Sequence, residues 1–93
     1  MRVCILDGTQ IKDSAQLHDR LAQSLELPQW YGRNLDALYD CLTSLPGETE
    51  VQILHKDALH ENLAGYASTL ERVLQEAAHA NPRLRWRILQ ENE

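Results

Sequence analysis

The sequence has a shortage of basic side chains, and this shortage excludes two broad classes of partner. Nine lysines and arginines stand against fourteen aspartates and glutamates, which leaves a formal net charge of −5. Such a surface as a whole repels phosphate backbones and anionic lipid headgroups. We therefore expect neither general nucleic-acid binding nor membrane binding.

Long apolar runs and paired cysteines are also missing. The first apolar run covers only residues 3–6, far fewer than a secretory signal core or the roughly 20 residues of a membrane span. Cys4 and Cys41 lie in apolar stretches without Cys-x-x-Cys spacing, which fits packed, reduced thiols better than a disulfide framework or a zinc knuckle. These features predict a cytoplasmic protein.

The residues that catalysis needs are not found in any recognisable pattern. Four glycines are too few to hide a phosphate-binding loop, and no nucleophile stands with a base. The four histidines have no metal-ligand spacing; they are His18, His55, His60 and His79. We expect no enzyme, no metal site and no cofactor.

What the sequence does contain is an alternation of strand-like and helical segments. Ninety-three residues hold material for one core, so a single domain over residues 1–93 is expected. Strands are predicted at 3–6, 51–54 and 83–88. Helices are predicted from Asp13 or Ser14 to near Pro28, from Asn34 to Pro46, over 56–63 with Asp57 as its cap, and from Tyr66 to Asn81. Because parallel strands need long connections, this order predicts an α/β fold with a small three-stranded parallel sheet and right-handed helical crossovers.

The last predicted strand alternates arginines with apolar residues. Because three unpaired guanidinium groups would not be buried under a helix, one face of the sheet is expected to be at least partly exposed to solvent. RNA binding through these arginines is an alternative, although charges on a strand more often discourage pairing between sheets. The arginines are Arg83, Arg85 and Arg87.

The second predicted helix has two chemically different faces. At about 100° per residue, the apolar residues Leu38, Leu42 and Leu45 share one side. Asp36, Asp40 and Thr43 share the other side. Like charges four residues apart destabilise a helix by about 0.2–0.5 kcal/mol, and no basic residue in this helix relieves them. The pair favours a cationic partner; a solvated acidic face is the alternative.

Aromatic residues lie next to this acidic face in the sequence. Trp30 and Tyr31 precede the helix, and Tyr39 lies on its flank. Rigid aromatic area beside charges is typical of a binding hot spot. For each aromatic residue taken singly, packing in the core is an equally good interpretation.

Residues 27–43, LPQWYGRNLDALYDCLT, closely resemble the ribonuclease-binding segment of the barstar family, the bacterial intracellular inhibitors of barnase-type ribonucleases. Similarity in residues 7–11, 17–18 and 73–77 extends the resemblance to nearly the whole chain. It implies a barstar-like fold, a monomer when free, and a partner that is an extracellular guanyl-type ribonuclease. In that family an acidic helix and its preceding loop plug the basic active site of the ribonuclease, which protects the producing cell.

The resemblance also implies which residues contact the partner. Asp40 is similar to the central carboxylate of the family, Asp36 to a second one, and Glu76 to an acidic contact from the last helix. The complete set of expected partner-binding residues is Trp30, Tyr31, Gly32, Asn34, Leu35, Asp36, Tyr39, Asp40, Thr43 and Glu76.

The sequence departs from the best-known family member at the rim of this surface. Ser44 and Leu45 stand where that member has glycine and tryptophan, and Ala80 replaces an acidic residue. These departures leave the identity of the cognate ribonuclease open. The alternative function is a barstar-like module that binds a different basic protein without inhibiting a ribonuclease.

Overall fold

The computed structural model describes residues 1–89, so the last four residues of the predicted domain lie outside the described range. Within it, three strands and four helices alternate as the sequence predicts. They are β1 (Arg2–Asp7), α1 (Ser14–Leu25), α2 (Leu35–Thr43), β2 (Thr49–Leu54), α3 (Lys56–Leu63), α4 (Gly65–Ala80) and β3 (Leu84–Leu89).

The three strands described form one parallel sheet in the order β1-β2-β3. Cys4 pairs with Val51, which pairs with Trp86. Helices α1 and α2 connect β1 to β2, and α3 and α4 connect β2 to β3. The predicted α/β fold with its three-stranded parallel sheet is therefore confirmed.

One face of the sheet packs against helices and forms the core. Alternate side chains of β1 and β2, including Leu6 and Ile53, are completely buried there. Helix α1 packs on β1, α4 packs on β3, and α2 packs on α4. Helix α2 is therefore held mainly through α4, which fixes the relative position of these two helices.

The opposite face of the sheet is open to water, as the arginine alternation predicts. Val3 and Ile5 on β1 are each 42% exposed, and Arg85 and Arg87 are also exposed. Arg87 Nε donates to Glu50 Oε2 at 2.7 Å. A hydrogen bond from Gln52 together with Arg87 holds the pKa of Glu50 below its usual value, against the opposing effect of desolvation.

Three helix boundaries differ from the sequence prediction. Helix α1 ends at Leu25 instead of near Pro28, because Glu26 turns into the left-handed region at φ 53°. Helix α2 ends at Thr43 with Ser44 as its cap, before Pro46 is reached. Helix α3 begins after His55, and Asp57 is a first-turn residue instead of the cap.

Candidate functional site

Helix α2 is satisfied at both ends and anchored by its apolar face. Leu38 and Leu42 are completely buried. At the N-terminus, Asn34 Oδ1 accepts a hydrogen bond from the backbone N–H of Ala37 at 2.8 Å. At the C-terminus, the Thr43 hydroxyl donates to the carbonyl oxygen of Asp40 at 3.1 Å. The solvent-facing side of α2 is therefore presented from a fixed scaffold.

The structure brings carboxylates from two helices to one surface. Asp36 and Asp40 on α2 and Glu76 on α4 are all exposed. Together with Leu35, Tyr39 and Val73 they line a shallow depression of about 350 Å³. Because α2 packs on α4, residues that are distant in sequence share this rim. We call these three carboxylates and the depression the acidic surface.

These three carboxylates are not neutralised from within the described part of the chain. The ion pairs found among residues 1–89 join other acidic residues to their partners, and none involves Asp36, Asp40 or Glu76. Their charges therefore act on the solvent, where a cationic partner would meet them.

The loop before α2 divides its aromatic residues between the surface and the core. Trp30 is 80% exposed, whereas Tyr31 is 6% exposed. The Tyr31 hydroxyl lies 2.6 Å from Nδ1 of His18, and Nε2 of His18 lies 2.7 Å from the Tyr66 hydroxyl. Of the two interpretations left open for the aromatics, Trp30 takes the surface and Tyr31 takes the core, where its ring has little area left for a partner.

The role of His18 was not predicted from the sequence, although a signal was present. It lies on the apolar side of α1 next to Leu17 and Leu21, and a polar residue there needs hydrogen-bond partners. Burial lowers the pKa of His18 and Arg33 lowers it further, while Asp19 acts in the opposite direction. Burial also raises the pKa of Tyr31. A neutral imidazole on α1 therefore connects the loop before α2 to α4.

Of the remaining predicted contact residues, Leu35 and Tyr39 line the depression of the acidic surface. Gly32 and Asn34 are exposed, and Leu35, Tyr39 and Thr43 are half-buried. A Cβ atom on Gly32 would lie 3.3 Å from both Asn34 Nδ2 and Ala37 Cβ, a separation so tight that the neighbouring atoms would have to shift. A side chain at this position would thus crowd the α2 cap.

An apolar groove borders the acidic surface on the other side of Asp40. It has a volume of about 600 Å³, and Trp30, Leu27 and Cys41 are among its lining residues. Ser44 and Leu45 both line the groove. Ser44 is exposed, whereas Leu45 is 7% exposed and also belongs to the core. No local sequence pattern predicts that Leu27 lines this groove, because the α1–α2 connection forms one side of the groove only after the chain folds.

Comparison with known proteins is consistent with this arrangement. The sequence model of the family described as Barstar (barnase inhibitor) matches residues 1–89. The chain belongs to the barstar family. A protein of Bacillus subtilis (strain 168) named "Putative ribonuclease inhibitor YrdF" is 40% identical over 79 residues, which is 83% of this chain and 86% of that protein. The resemblance predicted from residues 27–43 is confirmed, and the family is one of inhibitors, not of enzymes.

Neither a metal-binding group nor a membrane-spanning helix is found in the described part of this barstar-family chain, residues 1–89. Within residues 1–89, no group of three or more histidine, cysteine, aspartate or glutamate side chains is placed to hold a metal ion. None of the helices in that range is long and apolar enough to cross a membrane.

The arginines that suggested RNA binding have acidic neighbours in this barstar-family sheet. Arg85 Nη2 lies 3.5 Å from Glu48 Oε1, and Arg87 pairs with Glu50 as described above. Two of the three cations are therefore partly compensated, which weakens their attraction for a phosphate backbone.

Proposed function

We propose that this protein inhibits a secreted guanyl-type ribonuclease by inserting α2 and the loop before it into the basic active site of that enzyme, and so protects the producing cell from within the cytoplasm. The observation that carries the proposal is the acidic surface, with three exposed carboxylates on two packed helices and no internal ion pair among residues 1–89. Membership of the barstar family supports the same class of partner.

The mechanism follows from what a ribonuclease active site must bind. A site built for RNA is concave and cationic, so carboxylates placed where phosphates would lie compete directly with the substrate. Asp36 and Asp40 come from a helix that is capped and buried on its other side. Little conformational freedom is therefore lost when they bind, and more of the charge attraction appears as affinity.

The exposed aromatic residue completes this surface. Trp30 stands at the edge of the apolar groove, and Asp40 lines both the groove and the acidic depression. An indole beside a carboxylate provides apolar contact area next to the charge pair and excludes water from it. The accessible surface of the chain is 5654 Å², and a standard interface takes roughly 800 Å² from each partner. The loop, α2 and one edge of α4 suffice for such an area.

The test is an inhibition assay against a panel of guanyl-type ribonucleases with a fluorogenic RNA substrate. We expect the protein to inhibit at least one of them at submicromolar concentration, and Asp40→Asn to weaken that inhibition strongly. Asp57→Asn is the matched control, because Asp57 is an exposed aspartate on α3 outside the acidic surface. It should leave inhibition nearly unchanged.

Two outcomes would count against the proposal. If micromolar protein slows none of the ribonucleases, the protein is instead a binding module for a different basic partner. If Asp40→Asn and Asp57→Asn change inhibition equally, the acidic surface does not contact the ribonuclease. A shift of labelled RNA at low salt would favour the arginine strand as the functional element.

A further inference from the structure

One cation lies within the segment that is proposed to enter the ribonuclease. Among residues 27–43, Arg33 is the sole lysine or arginine. It stands between Gly32 and Asn34, the residue that caps α2. A freely moving guanidinium at this position would oppose the approach of a cationic active site, because like charges at an interface are repulsive.

The structure holds this guanidinium against α1. Arg33 Nη2 donates to Asp19 Oδ1 and, at 3.3 Å, to the carbonyl oxygen of Ala15. Asp19 therefore neutralises the charge of Arg33 and also turns it toward α1. The backbone of Arg33 has φ 58°, in the left-handed region that non-glycine residues adopt only when their surroundings enforce it.

Two consecutive residues of α1 hold alternate residues of the loop. His18 contacts the hydroxyl of Tyr31, and Asp19 binds the guanidinium of Arg33. Trp30 is 80% exposed, and Gly32, between the two held residues, is exposed as well. The pair of contacts thus fixes which loop residues face the core and α1 and which face a partner.

We propose that Asp19 and Arg33 are positioning residues of the ribonuclease-binding surface, although neither has to touch the ribonuclease. This inference rests on the proposed function. Asp19 keeps the sole cation of residues 27–43 neutralised and directed at α1, which leaves the field of the acidic surface undiminished and the loop ordered before binding.

A merely structural role makes a different prediction from a positioning role. The side chains of Arg33 and Asp19 are 46% and 65% exposed, and exposed ion pairs contribute little to folding stability. Loss of Asp19 should therefore hardly change the unfolding midpoint. The association rate should change, because charges near an interface act mainly on the rate of encounter and on its salt dependence.

The experiment measures association with a ribonuclease that the unaltered protein inhibits, by stopped-flow fluorescence at low and high salt. Asp19→Asn is compared with Glu61→Gln, which removes one exposed charge from α3. We expect Asp19→Asn to slow association at low salt about two- to fivefold more than Glu61→Gln does, and Asp19→Glu to restore most of the rate. The additional slowing by Asp19→Asn relative to Glu61→Gln should become smaller at high salt, because salt screens the charges.

A double variant separates the Arg33 contact from the simple loss of a negative charge. When Arg33→Gln is already present, Asp19→Asn should slow association no more than Glu61→Gln does, because there is no cation left to release. An equal slowing with and without Arg33 would overturn the positioning role. Equal association rates for Asp19→Asn and Glu61→Gln at both salt concentrations would also overturn the positioning role. In both cases the proposed function would stand. Absence of inhibition by the unaltered protein would overturn both proposals.

Discussion

Asn81 caps α2, the helix that carries Asp36 and Asp40. Its Nδ2 donates to the carbonyl oxygen of Leu42 at 2.9 Å, and the asparagine is 7% exposed. Asn81 itself follows the last residue of α4, so the end of one helix satisfies the end of the other. This contact joins the end of α4 to the end of α2, in addition to the packing of the two helices.

Removal of this cap should destabilise the protein. We expect Asn81→Ala to lower the free energy of unfolding by about 1–3 kcal/mol, since a buried carbonyl oxygen loses its donor. Urea denaturation measures the change. Gln75→Ala, an exposed change on α4, is the control and should stay within about 0.5 kcal/mol. Equal stabilities for the two variants would show that the Asn81 contact contributes nothing.

Truncation of the central carboxylate should weaken inhibition most. Asp40→Ala is expected to weaken binding by about 2–5 kcal/mol, the usual cost of truncating one partner of a buried, hydrogen-bonded charge pair. Asp36→Ala and Glu76→Ala should have smaller effects. Inhibition constants for the three variants give the order directly. A larger loss for Glu76→Ala than for Asp40→Ala would place the centre of the interface on α4.

The two neighbouring aromatic residues of the loop should separate binding from folding. Trp30→Ala should leave the free energy of unfolding within about 0.5 kcal/mol and weaken inhibition by about 2 kcal/mol, because an exposed indole acts only in the complex. Tyr31→Phe should do the reverse and destabilise the fold by about 1–3 kcal/mol, since His18 loses a hydrogen-bond partner. Thermal unfolding and inhibition assays on both variants test this, and parallel losses in the two properties would contradict it.

Stability should fall as the pH drops below the ordinary pKa of histidine. Because burial, with Arg33, lowers the pKa of His18 in the folded state from 6.5, the unfolded chain binds the proton first. The contribution of neutral His18 to the free energy of unfolding is complete above about pH 6.5. It is lost as the pH falls from there toward the pKa of His18 in the folded protein. Urea denaturation between about pH 5.5 and 7.5 measures the slope. His18→Gln should flatten it and His79→Gln, an exposed change, should not; an unchanged slope in His18→Gln would refute the assignment.

Much of the fold was predictable because local patterns and global packing agree. Leu38 and Leu42 repeat at helical spacing and both are buried, and the cap at Asn34 forms as predicted. The helix ends were less predictable. Glu26 leaves the helix by adopting a left-handed conformation, and the N–H of Leu27 then donates to the carbonyl oxygen of Ala22 at 3.0 Å. This closure ends the helix before Pro28 is reached.

The candidate site was also only partly predictable from local sequence patterns. The acidic side of α2 follows from helical periodicity, so Asp36 and Asp40 were predictable as neighbours. The proximity of Glu76 to them was expected only from the family resemblance, since no local pattern relates α4 to α2. The sequence does not decide whether Trp30 or Tyr31 faces the solvent, because both are large amphipathic rings. In the folded chain, Tyr31 packs in the core and its hydroxyl contacts His18, whereas Trp30 is exposed.

By itself, the order of residues determined the alternation of strands and helices, the amphipathic α2 and the excess of negative charge, because each depends on neighbours a few positions apart. Only the tertiary structure decided that Asn81 would cap α2, that Asp19 would restrain Arg33, and that three carboxylates would meet without forming an ion pair among residues 1–89. Those contacts join segments that are remote along the chain, and their partners become defined only when the helices pack on the sheet.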